Sequence, residues 1–158
     1  MRKGFTIIEL MVAVTIFVVV VSISSSIFIN SLRTQRQVLA LMASNDNASL
    51  TIEQLAREMR TGSQFQINGR GDRLQFFNAV GQPVVYELSG QQIMRNSQAV
   101  TAGNVSIKYL LFNLMGETPE DGVSTRVTIN LGVGAVGKNL EDFVTNIQTT
   151  VAVRSLDA

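Results

Sequence analysis

The fold is decided by the stretch RKGFTIIELMVAVTIFVVVVSISSSIFI, residues 2–29. From Phe5 to Ile29, 18 of 25 residues are apolar, and no residue from Leu10 to Leu32 is charged. A helix needs roughly 20 apolar residues to cross a bilayer, so this run is long enough to do so. Two basic residues precede the run, and by the positive-inside rule they place the N-terminus in the cytoplasm and the rest of the chain outside.

Two features separate this run from an ordinary secretory signal. The early small residue, Gly4, lies before the apolar run, whereas a secretory cleavage site follows it. Cleavage after Gly4 would remove Arg2 and Lys3, keep the apolar segment and create a new amine at Phe5. Glu9 lies at the edge of the run, where a carboxylate is costly, and no cation lies inside the segment. We therefore expect a positive charge from another chain, the Phe5 amine, to bind Glu9.

Two simpler interpretations of the same residues stay open at this point. A bare apolar run is also typical of a signal anchor that tethers a domain outside the membrane. Glu9 is also placed where an acidic side chain stabilises a helix N-terminus through the macrodipole, and this effect is compatible with a role between subunits.

Residues 30–61 keep a helical pattern after the apolar run ends. One helix face is marked at steps of three or four residues by Leu32, Gln35, Val38, Met42, Asn45, Ala48, Ile52, Leu55 and Met59. No Gly or Pro occurs from Phe5 to Thr61, so we expect one continuous helix with Gly62 as its left-handed cap. The weakest stretch is residues 44–47, whose side chains compete with the helical backbone.

Beyond Gly62 the apolar period changes to two, which is typical of strands. The alternating rows are Leu74 and Phe76; Val84, Tyr86 and Leu88; Val105, Ile107, Tyr109 and Leu111; Val127, Ile129, Leu131 and Val133; and Ile147, Thr149, Val151 and Val153. The pattern predicts an antiparallel sheet with one buried face, covered by the helical stripe from Val38 to Met59. Aromatic residues are expected to fill its core, namely Phe65, Phe76, Phe77, Tyr86, Tyr109, Phe112 and Phe143, with Phe77 and Phe112 as weaker candidates for subunit contacts.

The predicted fold class is therefore α+β, with a long N-terminal helix packed on an antiparallel sheet. We expect four segments: a leader at 1–4, a transmembrane or filament-core helix at 5–29, an amphipathic helix at 30–61, and a sheet domain at 62–158.

Composition excludes several classes of function. The chain has no Cys and no His, so disulfides and the usual zinc or transition-metal ligand sets are absent. Residues 30–158 hold 11 basic and 11 acidic side chains, so no basic face for nucleic acid is expected. Weak calcium candidates are Glu117, Glu120 and Asp121, but their spacing favours a solvated acidic turn, and the same applies to Glu141 and Asp142. A Gly-rich stretch with Gly132, Gly134 and Gly137 favours a flexible outer loop over a phosphate site.

The stretch GFTIIELMV, residues 4–12, resembles the N-terminal signature of type IV prepilins and pseudopilins, in which a Gly precedes the cut, a Phe follows it and a Glu is fifth in the mature chain. The resemblance implies that a membrane-embedded prepilin peptidase cuts between Gly4 and Phe5 and methylates the Phe5 amine. It implies that Glu9 is the assembly and register residue, and that Arg2 and Lys3 are leader charges.

Within that family the chain resembles the minor subunits. The helix lacks the Gly and Pro that are common in major pilins, Ser26 stands near the usual Pro position, and the C-terminal disulfide of many major pilins cannot form. The body is similar to J-type minor pseudopilins of type II secretion and to large minor pilins in three stretches: residues 55–60, 85–88 and 148–154.

The resemblance implies a non-enzymatic subunit of a type IV pilus or a type II secretion pseudopilus, without a cofactor. Its expected partners are other pilin subunits, the prepilin peptidase and the inner-membrane assembly platform. The precursor is expected in the inner membrane, with its C-terminal domain periplasmic or extracellular, before it enters the filament. The alternative is a membrane-tethered extracytoplasmic binding domain that does not polymerise. A weaker hypothesis is that exposed loops bind an external ligand. The neutral charge of the body gives no support for DNA as that ligand.

Overall fold

The computed structural model describes residues 4–116, 124–137 and 140–154. The described residues form one helix and eight strands: α1 Ile7–Arg60, β1 Ser63–Ile67, β2 Arg73–Phe77, β3 Pro83–Ser89, β4 Gln92–Arg95, β5 Gln98–Ala99, β6 Val105–Met115, β7 Arg126–Ala135 and β8 Thr145–Ala152. The chain divides into two compact units at residues 39 and 40, so that α1 contributes to both. The predicted α+β class, with a helix packed on antiparallel strands, is confirmed.

The strands form two sheets, although the sequence predicted one. The first sheet has the order β1-β2-β3-β4-β5 and the second has the order β6-β7-β8, and every pairing is antiparallel. β6 meets the first sheet through single backbone bonds, from Ile107 N–H to Gln91 O and from Phe112 N–H to Gly71 O. These isolated bonds do not form a ladder, so β6 is not a strand of the first sheet.

The helical segment after residue 40 packs its inner face into this domain. Its buried residues are Ser44, Ala48, Thr51, Ile52, Leu55, Ala56 and Met59. The stripe is therefore confirmed from Ala48 to Met59, but Val38 and Met42 are exposed, so the predicted cover begins too early.

Polar side chains fix the start of this packed segment. Ser44 Oγ donates to Asn104 O at 3.1 Å, and Asn47 Oδ1 accepts a hydrogen bond from Ala102 N–H at 3.1 Å. Residues 44–47, predicted to be the weakest part of the helix, remain α-helical. They do so because these two side chains bind the loop before β6 while the helical backbone continues.

Aromatic side chains stack at the centre of the first sheet. The Phe76 ring lies 5.1 Å from Phe65 and 6.2 Å from Tyr86, measured between ring centroids. A Cβ on Gly62 would approach Phe76 Cδ2 to 2.7 Å. Gly62 does not have the positive φ of a left-handed cap, so that prediction is wrong, and the glycine is needed for close approach of an aromatic ring.

A bulge in β6 corrects the predicted row from Val105 to Leu111. The register shifts between Ile107 and Tyr109, so the side chains that follow point to the opposite faces from those expected. Leu110 and Phe112 are buried, whereas Tyr109 and Leu111 are exposed. Phe112 is therefore a core residue and not an exposed contact.

Two other aromatic residues depart from the predicted core. Phe77 is half-buried, and Phe143 is 54% exposed because it lies in the segment before β8. Together with Tyr109, Phe143 shows that the core prediction was too broad. The core holds Phe65, Phe76, Tyr86 and Phe112.

The Gly-rich stretch is part of β7 and not the predicted flexible loop. Gly132 and Gly134 are buried strand residues, and only Gly137 follows the strand. A Cβ on Gly132 would meet the Tyr109 ring at 2.5 Å. The glycine lets this ring cross β7, where the Tyr109 hydroxyl donates to Asn146 Oδ1 at 2.8 Å.

A half-buried ion pair joins the last turn of α1 to the β3–β4 hairpin. Arg95 donates to both carboxylate oxygens of Glu58, at 2.6 Å and 3.0 Å, and the Tyr86 hydroxyl donates to Glu58 at 2.8 Å. The Arg95 hydrogen bonds lower the pKa of Glu58, against the opposing effect of its burial. Burial and the Glu58 carboxylate raise the pKa of Tyr86.

This ion pair predicts an acid-dependent loss of stability. Because the pKa of Glu58 is lower in the folded state than in the unfolded chain, the ionised carboxylate stabilises the fold above its unfolded-state pKa, and this contribution is lost as pH falls through the folded-state pKa. We expect Glu58→Gln to lower the free energy of unfolding at pH 7 by roughly 1–2 kcal/mol and to flatten its decline in acid. Urea unfolding in mild detergent, followed by near-ultraviolet circular dichroism, measures both effects.

The control for this prediction is Glu53→Gln on the same helix. Glu53 pairs with Arg57 at 2.9 Å, but both side chains are largely exposed. An exposed pair contributes little, so this variant should follow the wild-type curve at every pH. Parallel curves for Glu58→Gln and the wild type would contradict the assignment.

Candidate functional site

The N-terminal end of α1 is closed by a reciprocal pair of side chains. Thr6 precedes the first helical residue, Ile7, and its Oγ1 accepts a hydrogen bond from Glu9 N–H at 3.2 Å. Glu9 Oε2 accepts in return from the Thr6 N–H and from the Thr6 hydroxyl, both at 2.9 Å. This is a capping box, which satisfies two backbone donors that a helix start leaves open.

The capping box does not neutralise the Glu9 charge. Its donors are a neutral amide and a neutral hydroxyl, and among the described residues no Lys or Arg forms an ion pair with Glu9. Both hydrogen bonds go to Oε2, and no described residue binds Oε1. The interpretation of Glu9 as a stabiliser of the helix start is therefore supported, while a carboxylate oxygen stays open to a cation from elsewhere.

Thr6 is a site residue that the sequence reasoning missed. The signal was present, because Thr at the cap position followed three residues later by Glu is the sequence form of a capping box. The charge of Glu9 alone predicts a cation or the helix macrodipole as its partner and gives no sign of the Thr6 side chain.

Gly4 and Phe5 lie ahead of the helix, outside any regular secondary structure, and are exposed. A Cβ added to Gly4 would meet no atom within 4 Å, so packing does not require glycine there. Phe5 is 86% exposed. The peptide bond between them is therefore accessible. Arg2 and Lys3 lie outside the described residues.

The apolar run forms helix without a break, and its side chains are exposed throughout. This part of α1 is long and apolar enough to cross a membrane. Three hydroxyl groups inside it donate to the helix backbone: Thr15 donates to Met11 O, Ser22 to Val18 O and Ser26 to Ser22 O. Such bonds between neighbouring turns keep these hydroxyls compatible with an apolar environment.

Three features can be compared with known families: the accessible bond between Gly4 and Phe5, the capping box that holds Glu9, and the apolar helix of membrane length. Residues 1–25 match the family model described as the prokaryotic N-terminal methylation motif. The chain carries a prepilin-type N-terminus. No curated protein and no solved structure matches the chain.

The methylation motif supports a pilin-like or pseudopilin role for the chain. It implies processing by a peptidase and assembly with other pilins, and together with the apolar helix it is consistent with anchoring in a membrane. It also suggests a structural subunit and not an enzyme. The match ends within the apolar run, so the sheet domain is understood from its structure alone.

The remaining candidates can be followed only where the structure describes them. Glu117, Glu120 and Asp121 lie outside the described residues. Glu141 and Asp142 are exposed in the turn before β8. Within residues 4–116, 124–137 and 140–154, no group of three or more acidic side chains is arranged to hold a metal ion.

Proposed function

We propose that this chain is a minor subunit of a type IV pilus or of a type II secretion pseudopilus. The observation that carries the proposal is the match of residues 1–25 to the methylation motif, on a helix whose apolar side chains are exposed. An exposed apolar surface of this length is unstable in water. Lipid covers that surface before assembly, and neighbouring apolar helices cover it after assembly.

Processing converts the precursor into the assembling form. A prepilin peptidase cuts between Gly4 and Phe5, removes the leader charges Arg2 and Lys3, and methylates the new Phe5 amine. Cleavage thereby creates a cation four residues before Glu9 in the same chain. The accessible backbone at Gly4 and the absence of a packing role for this glycine support this step.

Assembly moves α1 from the membrane into a bundle of similar helices. An assembly ATPase and an inner-membrane platform extract the subunit, and the apolar surface stays out of water in both states. The Phe5 amine of a neighbouring subunit binds Glu9. Because the Thr6 donors hold Oε2, the carboxylate is oriented in advance and its Oε1 is available to that amine.

The minor subtype is supported by the body of the protein. α1 runs from Ile7 to Arg60 without a Gly or Pro, and the chain has no Cys for a C-terminal disulfide. The domain is assigned no catalytic activity and no cofactor. The proposed location is the inner membrane, N-terminus inside and sheet domain outside, followed by the filament.

Coexpression with a prepilin peptidase tests the processing step. We expect the mature chain to begin at Phe5 and to carry one methyl group on its amine, as read by mass spectrometry of the intact protein. Gly4→Ala should slow or stop cleavage, so that uncut precursor accumulates. The matched control is Gly69→Ala, an exposed turn glycine where an added Cβ also meets no atom within 4 Å. A wild-type chain left uncut, or cut elsewhere, would remove the basis of the proposal.

A further inference from the structure

The two sheets have four edge strands, and three of them are blocked. β1 is short and carries a bulge between Ser63 and Gln66, with Gln64 at a φ of 55°. β5 has two residues. β6 donates backbone bonds to Gln91 O and Gly71 O on its outer side. Short length, bulges and covering loops are the usual devices that prevent pairing with another chain.

β8 has none of these devices among the described residues. Residues 144–152 read VTNIQTTVA, with no charged residue and no Pro. Strand β8 pairs with β7 in an unbroken register from Thr145 to Ala152, without a bulge. A long, regular, uncharged edge strand is a template for a further strand.

The hydrogen-bonding groups of this edge can be assigned by residue. Val153 N–H donates to Thr125 O, so odd-numbered residues direct their backbone groups towards β7. Even-numbered residues direct theirs away from it, namely Val144, Asn146, Gln148, Thr150 and Ala152. Arg154 follows the same alternation, but its N–H donates to Arg60 O, so the end of α1 closes the edge there. Within residues 4–116, 124–137 and 140–154, the edge is therefore open from Val144 to Ala152, and its midpoint is Gln148.

Charges at the two ends of β8 indicate what fits this edge. The turn before the strand is acidic, with Glu141 and Asp142 exposed. Its other end is basic, with Arg154 beside Arg60, and both side chains are exposed. A second copy in antiparallel orientation brings the acidic end of each strand to the basic end of the other, whereas a parallel copy brings like charges together.

We propose that two copies of this chain pair through antiparallel β8 edges, with Gln148 opposite Gln148 of the second copy. The two three-stranded sheets then become one sheet of six strands across a two-fold axis. In this register Val144 lies opposite Ala152, and Phe143 opposite Val153, so exposed apolar side chains at the strand start gain cover. This surface goes beyond the proposed function, since it concerns a contact of the sheet domain and not of the processed N-terminus.

Cysteine cross-linking tests the pairing, because the chain contains no native Cys. Opposed residues in such a pair have Cα atoms about 5.5 Å apart, within the range of about 4.4–6.8 Å that a disulfide spans. Gln148→Cys should therefore give a disulfide-linked dimer when membranes holding the full chain are oxidised. The control is Asn130→Cys. Asn130 lies on β7, opposite Gln148, and in the proposed dimer it is about three strand spacings, or roughly 14 Å, from Asn130 of the second copy.

The experiment uses the uncut precursor in a host without prepilin peptidase, so its outcome is independent of processing. We expect roughly tenfold more dimer for Gln148→Cys than for Asn130→Cys, given this difference in distance. Equal cross-linking of the two variants, or none in either, would overturn the proposal.

A second variant tests the edge itself. Thr150→Pro removes an outward N–H and the hydroxyl contact with Thr128, but it leaves the backbone bonds to β7 in place, which an edge strand tolerates. Added to Gln148→Cys, it should reduce the dimer to the level of the control while near-ultraviolet circular dichroism stays unchanged. Undiminished dimer in a folded double variant would show that β8 edges do not pair.

Discussion

Glu9→Ala is expected to abolish incorporation into filaments while cleavage after Gly4 continues. The change removes the carboxylate that the Phe5 amine of a neighbouring subunit binds, and it leaves the cleavage point untouched. The measurement is the amount of the subunit in sheared filaments, compared with the amount of mature chain in the membrane. We expect normal maturation and no detectable subunit in the filament fraction.

Two further variants separate the charge of Glu9 from its role as a helix cap. Glu9→Gln keeps an oxygen that accepts from Thr6, as glutamine also serves in capping boxes, but it has no charge. Thr6→Ala keeps the charge and removes the hydroxyl. If charge decides assembly, Glu9→Gln fails as Glu9→Ala does and Thr6→Ala assembles at a reduced level. If the cap decides it, Glu9→Gln assembles and Thr6→Ala fails.

The same variants test the alternative of a tethered domain that never polymerises. That alternative predicts no wild-type subunit in sheared filaments and no effect of Glu9→Ala on any property of the domain. Wild-type subunit in the filament fraction, lost on Glu9→Ala, contradicts it.

Phe76→Ala is expected to have the largest effect on stability. The ring is completely buried and stacks between Phe65 and Tyr86, so its removal leaves a cavity lined by two aromatic rings. Truncation of a buried Phe costs about 3–5 kcal/mol in the free energy of unfolding. Urea unfolding in mild detergent, followed by near-ultraviolet circular dichroism, measures this loss.

Gly62→Ala tests the close approach of Phe76 to the chain at the end of α1. The added methyl would lie 2.7 Å from Phe76 Cδ2, in a ring that is fully buried and stacked between Phe65 and Tyr86. We expect a loss of about 1–3 kcal/mol, typical of overpacking. In the Phe76→Ala background the same change should cost at least about 1 kcal/mol less, because the clashing ring is gone.

Additive effects of the two changes would contradict this account. The control is Gly69→Ala, for which no added contact and no positive φ exist. It should leave the free energy of unfolding unchanged in both backgrounds.

Features that depend on local pattern were predicted well from the sequence. The helix from Ile7 to Arg60 follows from an uninterrupted run without Gly or Pro. The inward row from Val127 to Val133 follows from strict alternation, and all four side chains are buried. The N-terminal motif was predicted because its chemistry lies within a few consecutive residues, and the match of residues 1–25 supports it.

Features that depend on tertiary packing were not predicted. The bulge after Ile107 reverses the faces of Tyr109 and Leu111, and alternation in the sequence gives no sign of an extra residue. Gly62 was predicted to be a cap because it follows the end of the helix. Its actual role is to make room for the ring of Phe76, fourteen residues away. The pairing of Glu58 with Arg95 likewise joins residues that only the fold brings together.

The polar contacts at the two ends of the packed part of α1 have a mechanical consequence. Ser44 and Asn47 hold one end to the loop before β6, and Glu58 holds the other to Arg95 and Tyr86. A force along the helix axis loads these bonds in shear and all at once, together with the apolar contacts between them. Bonds that share a load break together and not one after another. We therefore expect the sheet domain to stay attached to α1 when a force acts along the helix axis.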